Sequence, residues 1–124
     1  MSTKQLFHPR YDVVIADEAI TEGTAVNLKT DARTVEAVDN TADRVHGFAR
    51  FAAAAKGDTI EIYREGGEAI GLAGADITFG ADLVVNGSGE LIPTTTASDN
   101  CIGYALEAVD DADLVRFMFT RFTR

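Results

Sequence analysis

A chain of 124 residues makes one domain, large enough to remove roughly two thirds of its unfolded surface from water without disulfides or metal. It contains no run of about 18 apolar residues, which excludes a helical membrane span, and its one cysteine, Cys101, excludes an internal disulfide and fits a reducing site of synthesis. The net charge of −9 is uneven: residues 1–10 and 114–124 carry Lys4, Arg10, Arg116, Arg121 and Arg124 and no acid, so the ends total +5 and the body between them, with 6 bases and 20 acids, totals −14.

So acidic a body repels phosphate backbones, and nucleic acid is not expected as a partner. Basic ends on an acidic body point to another subunit or an acidic surface, or to two short tails that lack acids by chance.

Residues 1–10, "MSTKQLFHPR", have no apolar h-region and read as an arm rather than a secretory signal. "YDVVI" then predicts a first strand. "TAVNLK" predicts a second, ending at the turn residues "KTDAR", and "TVEAV" follows as its partner. After the polar linker "DNTAD" comes the glycine-bearing strand "RVHGFARFAA". "RFAAAAKGD" has helix-forming composition but reads better as a turn, and "DTIEIY" alternates with period two as a half-buried strand does. "EAIGLAGADI" supplies a short strand and a linker. "DLVVN" ends at "NGSGE", where Asn86-Gly87 predicts a two-residue hairpin turn with positive φ at both residues. "ELIPT", the linker "TTTASDN", "CIGYALEAV" and "LVRFMF" complete the chain. No segment shows a helical stripe. Mid-strand Gly47 and Gly103 mark bulges or barrel corners.

The second half echoes the first. "ITEG" from Ile20 recurs as "ITFG" from Ile77, 57 residues on; "VHGFA" matches "CIGYA" at an offset of 56; Asp58 in "GDTIEIYR" matches Asp113 in "ADLVRFMF" at an offset of 55. The order is kept and the offset drifts by single residues, as small loop deletions produce. The expectation is an internally duplicated β-unit, with repeats over about 19–66 and 76–122. The fold class is all-β: a small β-barrel or barrel-like sandwich of roughly eight to ten short strands over residues 11–124, behind an extended N-terminal arm at 1–10, with closure removing exposed edges. The expected core is Val26, Leu28, Val35, Phe48, Ile60, Ile62, Leu83, Val85, Ile92, Tyr104, Val115 and Phe117.

A catalytic set is not legible. His46 sits beside Gly47 in a strand and has Ile102 at its repeat position; His8 lies in the arm. Cys101 has Val45 as its counterpart and reads as a small buried group. Glu107, Asp110, Asp111 and Asp113 cluster without the spacing of a calcium loop and read as a solvated hairpin tip. "NGSGE" is glycine-rich, but no lysine or helix follows, as a phosphate loop requires. Lys29 and Lys56 lie near hairpin turns, yet neither lies between the copies, where a swinging-arm carrier domain would put its modified lysine. No enzyme, cofactor or metal is expected.

The segments "AITEGTAVNLKTDARTVEAV" and "RVHGFARFAAAAKGDTIEIYREG", with their repeats "DITFGADLVVNGSGELIPT" and "CIGYALEAVDDADLVRFMF", resemble the small capsid decoration proteins, or cement proteins, of tailed bacteriophages. The shared pattern is I-x-x-G-x-x-V, a hairpin, I-G-[FY]-A, then [GA]-D-x-[IV]-x-[IV], over about residues 19–122. The resemblance implies a non-enzymatic protein of the virion. It would be made in the host bacterial cytoplasm and bind the outside of the expanded head. There it would sit as homotrimers at threefold and local threefold positions, with the major capsid protein as partner. In that role Lys4, Leu6, Phe7, Pro9 and Arg10 of the arm are the candidate capsid contacts, and Arg116 and Arg121 are candidate subunit contacts. The competing reading is a free-standing β-barrel module that binds a small ligand or peptide.

Overall fold

Residues 5–40 and 44–124 are described by a computed structural model of the chain. They form ten strands and no helix: β1 (Tyr11–Ala16), β2 (Ala25–Leu28), β3 (Thr34–Ala37), β4 (Gly47–Ala49), β5 (Thr59–Tyr63), β6 (Gly67–Leu72), β7 (Asp82–Val85), β8 (Leu91–Pro93), β9 (Asn100–Ala105) and β10 (Leu114–Thr123). The all-β prediction holds. "RFAAAAKGD" is the expected turn: Asp58 accepts hydrogen bonds from the amides of Ala54 and Ala55, and Gly57 takes a φ of 95°.

The ten strands do not share a single barrel. β1 to β5 close on themselves in the order β1-β3-β2-β4-β5, whereas β6 to β10 form a second sheet in the order β6-β10-β9-β7-β8. In the first unit β1 and β3 pair in parallel at Ile15–Thr34 and Ala16–Val35. In the second, an isolated parallel bridge between Ala73 and Leu91 stands at the corresponding place.

The same backbone hydrogen bonds recur in both units. Ala16 N donates to Asp58 O as Ala73 N does to Asp113 O; Gly23 N donates to Ala49 O as Gly80 N does to Ala105 O; Ile20 and Ala53 exchange bonds as Ile77 and Val109 do. The offsets between these partners are 57, 56 and 55 residues, the same three as in the sequence matches.

Two apolar clusters follow from this division. Val14, Ala16, Ile20, Val26, Val35, Ala49, Ala53, Ile60 and Ile62 fill the closed barrel. The other cluster combines the inner face of the second sheet (Leu83, Leu91, Val115, Phe117, Phe119) with Ala25, Val38, Val45, Phe48 and Tyr63, which the first unit presents outward.

Three expected core residues lie elsewhere. Leu28 is 38% exposed at the end of β2, Tyr104 is 37% exposed and Ile92 is half-buried on β8, whereas Val85 is half-buried and packs against the larger apolar cluster. The β7–β8 hairpin also departs from the two-residue turn. The positive φ belongs to Gly89, at 77°, whose amide donates to Asn86 O, and Asn86 Oδ1 accepts from the amides of Ser88 and Glu90. The turn is therefore longer, with glycine at its last position, and its tip is fixed to the first unit through Ala25 N donating to Gly89 O at 2.8 Å.

Gly47 and Gly103 serve close approach between strands. A Cβ on Gly103 would overlap the carbonyl oxygen of Met118, and one on Gly47 would press on Tyr63 O and Ile62. The β9–β10 register shifts just beyond Gly103, between Phe119 and Phe122.

Candidate interaction surfaces

The N-terminal segment lies partly on the body. Leu6 is half-buried and packs against the larger apolar cluster, and His8 sits so close to Gly67 that a Cβ there would overlap its carbonyl oxygen. The Arg10 side chain covers Gly66. Pro9 is half-buried and Phe7 is 63% exposed. Within this segment Leu6 thus faces the protein and Phe7 faces solvent. Lys4 lies outside the described residues.

Of the two candidate arginines, Arg121 makes side-chain hydrogen bonds within the chain, whereas Arg116 Nε makes none. Arg121 pairs with Glu65 at 3.1 Å and donates to the carbonyl oxygen of Val45, so it ties β10 of the second unit to the segment before β4 of the first. Arg116 lies 4.0 Å from Glu68, a residue only 9% exposed, and its amide is held by Glu107 at 2.8 Å. Both arginine side chains keep about a third of their surface in solvent, 32% for Arg116 and 39% for Arg121.

Around Arg121 the two units leave a groove of about 440 Å³, lined by Asn27, Leu28, Arg44, His46, Arg64 and Glu65. It is a basic spot on an acidic protein. Burial holds the His46 imidazole below its usual range, and the positive charges of Arg64, Arg121 and Arg44 add to this while Asp12 opposes it. His46 Nε2 has no hydrogen-bond partner. The imidazole is thus held toward its neutral form beside three guanidinium groups, with Nε2 enclosed by the protein.

The remaining chemical candidates are structural. Cys101 is buried, and burial first, then Asp82 and Asp99, pushes its thiol up, away from the thiolate form. The acidic stretch of β9–β10 is tied into turns: Glu107 holds Arg116 N, Asp76 holds Asp111 N at 2.9 Å, and Asp113 N donates to Asp110 O. Among the described residues no group of three or more His, Cys, Asp or Glu side chains is placed to hold a metal ion.

Several large apolar side chains are exposed. Tyr11, Val13 and Ile15 alternate along the outer face of β1 at 43%, 47% and 43% exposure. Phe79, at the tip of the turn from Thr78 to Ala81, is 75% exposed. Neither feature was legible as a surface in the sequence, because period-two alternation does not say which apolar face remains uncovered.

The two five-stranded β-units are joined through aromatic packing between Phe48 of the first and Phe117 and Phe119 of the second. Residues 8–119 match the phage cement protein family, and the chain belongs to that family. Membership places it among the capsid-associated structural proteins of phages. In fold it is similar to the N-terminal base of the head fibre protein gp8.5 of bacteriophage phi29, whose crystal structure it matches with a TM-score of 0.67 at 22% identity, over 94% of this chain and 98% of that one. No curated protein matches the sequence.

Proposed function

We propose that the protein binds the outer surface of the expanded phage head as trimers at threefold and local threefold positions, contacting the major capsid protein and stabilising its lattice. The observation that carries this reading is the family match, which runs from His8 to Phe119 and so spans both β-units. The physical mechanism is linkage. A protein that binds only the mature lattice adds its binding free energy to the stability of that lattice, and joining subunits into a trimer raises the effective concentration of each further contact.

Within this reading the arm makes the shell contact. Leu6 fixes the segment to the body, Phe7 projects as an apolar anchor, and Lys4 and Arg10 flank it with positive charge. An exposed aromatic on a docked base loses little conformational freedom when it binds.

Co-sedimentation with expanded and unexpanded shells tests the proposal. Saturable binding to expanded shells alone, near one copy per capsid subunit, supports it, and absence of binding by folded protein refutes it. The second reading, a free-standing module for a small anionic or peptide ligand, draws on the Arg44–His46–Arg64–Arg121 groove. Binding of acidic peptides with no affinity for shells favours that alternative.

A further inference from the structure

The equivalence of the two units exposes one contact that is made within the chain and one that is not. In the first unit the turn from Thr21 to Thr24 inserts against the start of the second. Gly23 takes a φ of 84° and accepts a hydrogen bond from Leu72 N at 2.9 Å, and a Cβ there would meet Leu114 and Leu72 inside 3 Å. The β6 face beside it is covered: Ile70 is 3% exposed, Glu68 9% and Leu72 half-buried.

Carried across by the 57-residue offset that relates Ala16 to Ala73, these three residues correspond to Val13, Tyr11 and Ile15 on β1. There the same face is open, at 47%, 43% and 43% exposure. The turn that corresponds to Thr21–Thr24 is Thr78–Ala81. Its Gly80 has the same left-handed φ, at 79°, but open space where Gly23 meets Leu72 and Leu114. Where the first turn carries Glu22, the second carries Phe79.

We propose that the Phe79 turn of one copy docks by apolar contact on the Tyr11–Val13–Ile15 stripe of a second copy, the open counterpart of the β6 strand whose Leu72 seats the Gly23 turn within one chain. The chemistry of the two turns fits their partners. Leu72 offers a free backbone N–H to Gly23, whereas Ile15 N already donates to Arg33 O at 2.7 Å. The intermolecular version cannot use that hydrogen bond and must rest on apolar burial, and a phenyl ring at the tip supplies it. Arg50, stacked over Tyr11 at 4.4 Å and paired with Glu61, forms a polar rim beside the stripe. The contact is head to tail, so each copy has one turn to give and one stripe to receive, and repetition closes a ring or extends a chain. It shares with the capsid reading only the self-association, and its test contains no shells.

Sedimentation velocity over a range of concentrations is the measurement, on the wild type and on Phe79→Asp and Ile15→Asp, with Val13→Asp as the stripe variant should Ile15→Asp fail to fold by circular dichroism. Wild-type protein is expected to associate and each folded variant to run as a monomer. A mixture of the turn variant with the stripe variant retains one intact contact, and it is expected to form dimers and nothing larger. A wild type that stays monomeric at the highest concentration overturns the inference. So do folded variants that still associate like the wild type, or a mixture that remains monomeric.

Discussion

Phe48 from the barrel and Phe117 from the second sheet meet edge to face, their ring centroids 5.0 Å apart, with Phe119 against Phe48 at 5.2 Å. All three side chains are fully buried. Phe48 points out of its own barrel, and the second unit's phenylalanines complete its burial. The barrel and the second sheet therefore cannot keep their shared cluster if they separate.

Phe48→Ala is accordingly expected to cost about 3–5 kcal/mol, the range for truncating a buried phenylalanine. Urea unfolding followed by far-ultraviolet circular dichroism and by tyrosine fluorescence should show one common transition, moved to lower denaturant. Two separate midpoints would show that the units are stable independently.

Gly103→Ala and Gly57→Ala should differ sharply. At Gly103 the new methyl collides with the Met118 carbonyl inside a paired strand, and the backbone has to move. A loss on the order of 2–4 kcal/mol is expected. At Gly57 there is open space and only the φ of 95° opposes a side chain, a penalty of about 1–2 kcal/mol. The corresponding position in the second unit, Ala112, tolerates a side chain at a φ of 72°. Thermal unfolding of both variants would check the order, and equal losses would contradict it.

The depressed His46 pKa makes a signed prediction. Its folded value lies below the ordinary 6.5, so the unfolded chain binds the proton more readily. The stabilising contribution of the neutral imidazole is fully present above pH 6.5 and declines as the pH falls toward the folded value. His46→Gln should flatten stability against pH in that window. Asp17, held down by its hydrogen bond to Lys29, and Asp31, held down by the amides of Arg33 and Thr34, act in the same direction only near and below 3.8. Nuclear magnetic resonance titration of the two histidines is the direct check, and a His46 midpoint above 6.5 would contradict the arrangement.

Leu6 and Phe7 are adjacent but have opposite surroundings, so their truncations should separate stability from shell binding. Leu6→Ala removes half-buried apolar surface and is expected to cost about 1–2 kcal/mol. Phe7→Ala removes an exposed ring and should leave stability within about 0.5 kcal/mol. If the arm contacts the capsid, Phe7→Ala instead weakens co-sedimentation with expanded shells. Binding unchanged in both variants would remove the arm from the interface.

Much of the fold was legible in order of appearance. The alternation of Ile60 and Ile62 with Thr59 and Glu61, and of Val115, Phe117 and Phe119 with Leu114, Arg116 and Met118, marked β5 and β10 with the correct buried faces. The offsets of 57, 56 and 55 residues named positions that the backbone pairs in the same way. These signals are local. Period two, turn glycines and repeated phrases depend only on near neighbours along the chain, and the sequence alone determined them.

What covers each apolar face depended on the tertiary structure. Phe48 and Tyr11 both point outward from the first barrel, yet one is fully buried and the other 43% exposed, because the second sheet reaches the first and not the second. The repeated turns "ITEG" and "ITFG" look interchangeable as text, but the fold seats Gly23 against Leu72 and leaves Phe79 in solvent. Arg121 is basic and near the end of the chain, and the junction of the two units brings Glu65 and Val45 to it while 39% of its side chain stays in solvent. Burial is set by which surfaces meet in three dimensions, and two equivalent surfaces of one chain become different when only one of them is covered.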